Sequence, residues 1–202
     1  MSTPLFRPTA RQLWAAVRLL AVMTVVLGLA YPLAMTGFAQ AVFPGRADGS
    51  LVRQDGKVVG STLIGQSFDG MPQYFQSRPS AAGKGYDPLA SSASNLGPEN
   101  KDLIAAIEER RKVAAALDGT APSDVAPDAL LASGSGLDPH ISPLYAAQQV
   151  ARVARERGLS TARVRDLVAR YTEGRSLGFF GEPHVNVLLL NLALDRASGP
   201  AH

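Results

Sequence analysis

Residues Leu19–Phe43 read LLAVMTVVLGLAYPLAMTGFAQAVF, and the next charged residue is Arg46. A helix of about 20 apolar residues crosses the hydrocarbon core of a bilayer, so this stretch is long enough to span a membrane. A secretory signal peptide is the alternative, because arginines precede the run and Ala39-Gln40-Ala41 resembles a cleavage site. The apolar part of a signal peptide is typically about 7–15 residues long, so the longer run favours a retained transmembrane helix over residues 19–43.

Small side chains recur inside this predicted span. Ala30, Ala34 and Gly37 would lie on one face of a helix, where they would let a second helix approach closely. Ala and Gly are also common in membrane spans that have no partner, so the spacing leaves both interpretations open. Pro32 removes one backbone donor, which predicts a kink between Leu29 and Pro32.

The charges are distributed unevenly along the chain. Three of the 20 basic residues lie in the N-terminal tail, residues 1–18, which leaves 17 to balance the 17 acidic residues after the span. Binding to nucleic acid is disfavoured, because it normally needs a basic surplus. The absence of cysteine excludes disulfides and a cysteine nucleophile.

The basic residues near the span barely favour either membrane orientation. Three lie on each side: Arg7, Arg11 and Arg18 before the span, and Arg46, Arg53 and Lys57 after it.

Residues 46–202 are predicted to form one domain in which helices and strands mix without regular alternation, which favours the α+β class. Three helices are marked by capping residues: one from Pro98 to near Gly119, one capped by Ser142 that ends at Gly158, and one capped by Ser160 that ends at Gly174. Two strands are predicted, at Val58–Ile64 and Val185–Leu194. The apolar pattern in the second half of Val185–Leu194 would also fit a helix.

The second and third helices have apolar stripes that are predicted to face the core. In the second helix the stripe is Leu144, Ala147, Val150, Ala151 and Ala154, and in the third it is Val164, Leu167, Val168 and Tyr171. Six arginines on these helices could bind phosphate, but an exposed polar face is the preferred interpretation: Arg152, Arg155, Arg157, Arg163, Arg165 and Arg170.

One motif occurs twice. Ser92-x-Ser94-x-Leu96-x-Pro98 returns as Ser133-x-Ser135-x-Leu137-x-Pro139, each time shortly before a predicted helix. Such loops could hold an anion at unpaired backbone N–H groups, or they could be two capped turns that fold the loop back on itself. The second interpretation is preferred.

Known catalytic arrangements do not fit the polar residues. Ser135, Asp138 and His140 lie too close in sequence for a nucleophile, its base and an orienting carboxylate to line up. The sequence contains no phosphate-binding P-loop motif. The three histidines, His140, His184 and His202, lack helical ligand spacing, so no metal site is predicted.

Several ungapped blocks together resemble a known family. They are Gly60-Ser61-x-Leu63-Ile64-Gly65-Gln66-x-Phe68, Tyr74-Phe75-x-x-Arg78-Pro79-Ser80, Ser94-Asn95-Leu96-Gly97-Pro98, the run from Ala132 to Pro143, and Val185-Asn186-Val187-x-x-Leu190-Asn191-Leu192-Ala193-Leu194-Asp195. In this order and spacing the chain resembles the C subunit of the Kdp-type potassium-transporting ATPase, from the span to near the C-terminus.

The resemblance implies a single-pass accessory subunit of a high-affinity potassium importer in the cell (inner) membrane. Its implied partners are a channel-like potassium-translocating subunit, a P-type ATPase subunit that carries out hydrolysis, and a small single-span subunit. The N-terminus would be cytoplasmic, and residues 46–202 would form an extracytoplasmic domain. No tightly bound cofactor is implied.

The resemblance also carries an alternative role, that of a catalytic chaperone that raises the ATP affinity of the ATPase subunit. The glutamine that would contact ATP corresponds to Gln149. ATP is cytoplasmic, however, and a domain across the bilayer cannot reach it. We therefore expect a surface that faces a partner, formed by the two serine loops, by the helix that carries Gln149 and by small residues of the span. The candidate residues are Ala30, Ala34, Gly37, Ser94, Asn95, Ser133, Ser135, Asp138 and His140.

Overall fold

A computed structural model describes residues 6–198 of the chain and the side chains of residues 9–198. It divides into two units, Met1–Leu51 and Val52–His202. The first part of the predicted tail, residues 1–5, and the last residues of the predicted domain, residues 199–202, lie outside the described residues.

The first unit is helical. Its elements are α1 (Phe6–Val25), a π-helical turn (Val26–Ala30), α2 (Tyr31–Val42) and the short α3 (Pro44–Ala47). Residues Thr9–Val42 form 34 helical residues that are long and apolar enough to cross a membrane, with none of their most apolar window buried within the chain. The helix begins before the predicted span, so the described part of the predicted tail is helical as well.

An irregular turn precedes the proline, in the region where the sequence predicted a kink. Pro32 has no N–H to donate to the carbonyl of Gly28, and the turn just before it widens into the π-helix Val26–Ala30. The N–H of Tyr31 donates to the carbonyl of Val26, five residues back, which is the π-helical pattern.

The second unit is an α+β domain, as predicted. Its elements in chain order are β1 (Leu51–Gln54), β2 (Lys57–Ser61), α4 (Lys101–Asp118), two 3₁₀ turns (Pro122–Asp124 and Pro127–Ala129), β3 (His140–Ile141), α5 (Pro143–Arg157), α6 (Thr161–Arg170), β4 (Thr172–Glu173), β5 (His184–Asn186) and α7 (Val187–Ser198). β1 and β2 form a two-stranded sheet, and β3, β5 and β4 form an antiparallel sheet in that order.

The predicted caps of α5 and α6 are confirmed. Ser142 Oγ accepts a hydrogen bond from the N–H of Tyr145 at 3.1 Å, and Ser160 Oγ accepts one from the N–H of Arg163 at 3.2 Å. The first predicted helix begins later than Pro98, because Asn100 caps α4 by accepting from the N–H of Asp102 at 2.8 Å.

The third predicted helix also ends earlier than Gly174. Thr172 and Glu173 pair with β5 and cannot continue α6. Tertiary pairing therefore replaces the last turn of this helix.

The predicted strand Val185–Leu194 is wrong beyond Asn186. The strand β5 ends there, and α7 follows at once. The Asn186 side chain accepts a hydrogen bond from the N–H of Leu189 at 3.1 Å, which is the contact of a helix N-cap. For the second half of the segment, the alternative prediction of a helix is therefore correct.

The core of the domain lies between α5, α6, α7 and the three-stranded sheet, with Phe75, Ile141, Val153, Val164, Val185, Leu190 and Leu194 among its most buried residues. The predicted face of α6 is confirmed. The predicted face of α5 is wrong in part: Val150 and Ala154 are buried as predicted, whereas Leu144, Ala147 and Ala151 are exposed. The buried face also carries Tyr145, Ala146, Gln149, Arg152 and Val153. The polar residues Gln149 and Arg152 can lie on this face because each has buried hydrogen-bond partners.

Candidate functional site

Two buried side-chain amides hold the extended segment Phe75–Gln76, which belongs to no strand. Asn191 Oδ1 accepts from the N–H of Phe75 at 2.9 Å, and Asn191 Nδ2 donates to the carbonyl of Phe75 at 3.0 Å. Gln149 Oε1 accepts from the N–H of Gln76 at 2.6 Å, and Gln149 Nε2 donates to the carbonyl of Gln76 at 3.3 Å. Because buried backbone groups need partners, these two amides supply the bonds that a neighbouring strand would otherwise supply.

A buried arginine completes this network. Arg152 Nε donates to Asp118 Oδ1 at 2.7 Å, and the two side chains are only 1% and 3% exposed. Arg152 Nη2 donates to Gln149 Oε1 at 2.7 Å. Arg152 Nη1 donates to the backbone carbonyls of Tyr74, at 2.8 Å, and of Pro72. A buried charge is tolerated only when it is paired and hydrogen-bonded, and both conditions hold here.

A second buried ion pair lies at the end of α5. Arg157 Nη2 donates to Asp195 Oδ1 at 2.7 Å, and the guanidinium carbon lies 4.4 Å from the centre of the Tyr74 ring. The Tyr74 hydroxyl donates to Asp195 Oδ1 at 3.1 Å. Burial and the negative charge of Asp195 raise the pKa of Tyr74 above its ordinary value. The pair therefore joins α5 and α7 directly, and Tyr74, next to the segment that the amides hold, contacts both partners.

These contacts correct the interpretation of the arginine cluster as one exposed face. Arg152 and Arg157 are internal and paired, because backbone carbonyls and carboxylates surround them. The other four arginines are exposed, as predicted: Arg155, Arg163, Arg165 and Arg170.

Gln149 also lies in a different environment from the expected one. Its side chain is 0% exposed, and its amide bonds with Gln76 and Arg152. Within the described residues, the Gln149 side chain is enclosed by the domain and does not reach solvent. The sequence signal for this role is the spacing of Gln149 and Arg152, which places both on one side of α5.

The two serine loops contact each other. The N–H of Ser92 and the Oγ of Ser91 both donate to the carbonyl of Ser135, at 3.0 Å each. Gly136 sits at the closest approach with φ of +67°, and a Cβ there would lie 2.7 Å from Ala82 N and from Ser92 O. Only glycine fits this crossing without displacing backbone.

The remaining predicted loop residues lie at or near the surface. Ser94, Asn95 and Ser135 are exposed, and Ser133 is half-buried. These residues therefore belong to one pair of loops whose outer side is accessible.

Asp138 and His140 form a compact charged turn. Asp138 Oδ1 accepts from the N–H and from the Nδ1 of His140 at 3.0 Å each, and Asp138 Oδ2 lies 3.3 Å from Arg78 Nη1. Burial alone would raise the pKa of Asp138, but the hydrogen bonds from His140 and the charge of Arg78 lower it below its ordinary value.

A cleft of about 330 Å³ opens beside Arg78 and is lined in part by Asp69, Glu109 and Arg110. The positive charges of two arginines in its lining are equal in number to the negative charges of two carboxylates. Arg110 Nη1 already donates to the carbonyl of Leu130 at 2.8 Å. The cleft therefore offers no charge surplus for a triphosphate.

Ala30, Ala34 and Gly37 are exposed in the first unit. A Cβ added at Gly37 would meet no atom of the described residues within 4 Å. Within the first unit, the predicted small-residue face is thus uncovered at Gly37.

Comparison with known proteins identifies the family. A family model described as "KdpC: K+-transporting ATPase, c chain" matches residues 13–196, which is nearly the whole chain.

The chain belongs to the KdpC family.

Individual relatives agree with this assignment. The chain is 64% identical over 188 residues to the potassium-transporting ATPase KdpC subunit of Kineococcus radiotolerans, with 93% of this chain and 95% of the relative covered. It is 59% identical over 183 residues to the KdpC subunit of Sorangium cellulosum, with 90% and 96% covered. It is 50% identical over 188 residues to the KdpC subunit of Mycobacterium tuberculosis, with 92% and 98% covered. The resemblance that the sequence blocks indicated is therefore confirmed, and this KdpC-family chain is a subunit of a potassium-transporting ATPase.

Proposed function

We propose that this chain is a non-catalytic accessory subunit that stabilises the potassium-import complex between its channel-like translocating subunit and its P-type ATPase subunit. A small single-span subunit is the third proposed partner. In this proposal ATP hydrolysis belongs to the P-type subunit, and this chain contributes contacts in the membrane and from its domain.

The observation that carries the proposal is the exposed apolar helix Thr9–Val42. None of its most apolar window is buried by the chain itself, so the helix needs an apolar environment from outside. In lipid the hydrophobic effect contributes little to helix association, so close packing at small residues has to stabilise the contact. The face formed by Ala30, Ala34 and Gly37 is therefore the proposed docking surface for a partner helix.

The polar groups of the domain support the same role. The strongest candidates for chemistry, Gln149, Arg152 and Arg157, are bonded to the backbone and to carboxylates within the domain. They stabilise a rigid body, and the outer side of the serine loops remains as a surface for a partner.

Substitution of Gly37 by Leu tests the docking surface. We expect recovery of the complex from detergent to fall, because the larger side chain keeps the partner helix at a distance. Ala39→Leu is the matched control: Ala39 lies about 180° around the helix from the small-residue face, at 100° per residue. Equal recovery of both variants would contradict the docking surface.

Growth tests the accessory role itself. A strain that lacks this chain and every other potassium uptake system should fail to grow at micromolar potassium, and the wild-type chain should restore growth. Normal growth of the deletion strain would overturn the proposal.

We also propose that the N-terminus is cytoplasmic and the domain extracytoplasmic. Ser123 is exposed in the domain and the chain has no cysteine, so Ser123→Cys provides a single label site. A membrane-impermeant maleimide should label intact cells or spheroplasts. Labelling only after lysis would show the opposite orientation.

The catalytic-chaperone alternative predicts that ATP binds through Gln149. The burial of Gln149 argues against direct contact, and we expect no saturable micromolar ATP binding by the full-length chain. Asn191→Ala is the control for Gln149→Ala, because Asn191 holds the neighbouring residue of the same segment in the same way. ATP binding that only Gln149→Ala abolishes would establish the alternative role.

A further inference from the structure

A cleft of about 440 Å³ opens between α6 and α7, on a part of the domain that the proposed function does not use. Its floor is apolar and comes from both helices and from the residue after α6: Leu167, Tyr171, Ala193 and Ala197. Among the described residues, every charged side chain in its lining is an arginine: Arg163, Arg170 and Arg196. An apolar floor with a few charged groups around it is typical of a binding site.

The three guanidinium groups of this cleft have no partner within residues 9–198. None of them lies within 4.0 Å of a carboxylate, and none donates a hydrogen bond. Asp166, the acidic residue of α6, is exposed and lies outside the lining. Asp195 on α7 is already paired with Arg157. The described part of the chain therefore leaves the positive charge of the cleft unpaired.

The arginines of α6 are spaced for two anionic groups. Arg163 and Arg170 are seven residues apart, so they leave the helix in nearly the same direction and lie about 10.5 Å apart along its axis. A segment that carries two carboxylates about two helical turns apart matches this spacing. Guanidinium groups bind carboxylates through two parallel hydrogen bonds, which gives such a contact a defined geometry.

We propose that this cleft, the arginine groove of Arg163, Arg170 and Arg196, binds an acidic segment of a partner subunit. The carboxylates of that segment pair with the arginines, and its apolar side chains cover Leu167 and Ala193. The chain belongs to a family of subunits of a potassium-transporting ATPase, so the complex supplies partner subunits. Complementary charges fix the register of such a contact and exclude basic segments. The inference rests on the proposed accessory role, for which it names a second surface.

Cross-linking of the complex in membranes tests the proposal. A water-soluble carbodiimide joins a lysine amine to a carboxylate that touches it, but it does not join a guanidinium group. Arg163→Lys, Arg170→Lys and Arg196→Lys keep the positive charge and give the arginine groove a reactive amine. We expect each variant to form an amide bond with an Asp or Glu side chain of another subunit, which mass spectrometry of the cross-linked peptides identifies.

Arg165→Lys is the matched control. Arg165 is exposed on α6 but lies outside the lining, about 200° around the helix from Arg163 at 100° per residue. It should give no cross-link to the same segment. Three results would each overturn the proposal: no cross-link from the arginine groove, equal cross-linking of Arg165→Lys, or links only to lipid or to the C-terminal carboxylate of this chain.

Charge reversal gives an independent measurement. Arg163 follows the N-cap Ser160 by three residues, a position that suits glutamate, so Arg163→Glu should leave the domain folded, which a thermal unfolding curve checks. Because like charges at the contact are unfavourable, we expect recovery of the complex from detergent to fall at least about threefold. Arg165→Glu should keep the wild-type recovery.

Growth at micromolar potassium separates this inference from the accessory role. If deletion of the chain stops growth but Arg163→Glu and Arg165→Glu assemble equally well, the accessory role stands and the arginine groove is wrong. If the deletion strain grows normally, the accessory role itself is wrong, and this inference falls with it.

Discussion

The helix Thr9–Val42 and the domain that begins at Val52 distribute polarity in opposite ways. The helix exposes its large apolar side chains, among them Leu33 at 70%, whereas the domain encloses a charged guanidinium, Arg152, at 1%. A soluble protein would normally show neither feature. The helix is stable with apolar residues outside only if its surroundings are not water, and the domain tolerates a charge inside only because Asp118 and backbone carbonyls pair with it. The contrast shows that the exposed fraction of a side chain does not by itself tell whether the side chain is stable there. The groups or the solvent around it decide that.

Substitution of the buried arginine should have the largest effect. Arg152→Ala leaves the Asp118 carboxylate buried without its partner, and we expect the free energy of unfolding to fall by about 3–5 kcal/mol. The exposed Arg155 is the control; among the described side chains its ion pair is with its neighbour Glu156, and Arg155→Ala should change stability by no more than about 0.5 kcal/mol. Urea unfolding of the full chain in detergent measures both. Similar values for the two variants would remove the distinction between buried and exposed arginines.

A charge in the apolar helix should have the next largest effect. Leu29 lies close to the middle of the predicted span and is exposed. Leu29→Arg should make membrane insertion less favourable by about 2.5–3.5 kcal/mol, whereas Leu29→Phe should leave it nearly unchanged. The fraction of each variant that stays in the membrane after alkaline extraction is the measurement. Equal retention of the arginine and phenylalanine variants would mean that this helix does not cross the bilayer core.

The smallest effect concerns the half-buried charge of Asp138. Its lowered pKa means that the folded state holds the proton less tightly than the unfolded state, for which the pKa is near 3.9. Its stabilisation is therefore fully present above that value and is lost as the pH falls through the lower pKa of the folded state. Asp138→Asn should cost less than about 1 kcal/mol at pH 6, and the difference from wild type should shrink below pH 4.

Unfolding curves between pH 3 and pH 6 test this dependence. Asp87→Asn is the control, because the Asp87 carboxylate also accepts a backbone N–H two residues on and, within residues 9–198, makes no ion pair. A pH-independent difference for Asp138→Asn would show that its charge adds nothing to stability.

Local signals predicted much of the domain. Ser142 and Ser160 cap the helices that they were expected to cap, because an N-cap bond reaches only three residues along the chain. The strand-to-helix change at Asn186 had the same kind of signal, but the apolar run after it concealed the cap. Where a prediction depended on a few neighbouring residues, the sequence contained the information.

The candidate site was less predictable. Gln149 was expected at a surface, and the exposed Leu144 was expected in the core, because an apolar stripe was assumed to mark the buried face of α5. The apolar stripe of α5 was a poor guide since the buried face of this helix also carries polar side chains. Their partners, Gln76 for Gln149 and Pro72 for Arg152, lie 73 and 80 residues away along the chain. No spacing rule within a helix reveals such contacts.

The sequence by itself determined the apolar helix, the α+β class of the domain, the caps of α5 and α6, and the family. Each of these depends on composition, on short-range hydrogen bonds, or on blocks of residues in order. Only the tertiary structure decided that Gln149 and Arg152 are internal, that the serine loops pair, and that His140, His184 and Glu173 share one face of a sheet. The physical reason is that the environment of a polar side chain is set by groups that folding brings from distant parts of the chain.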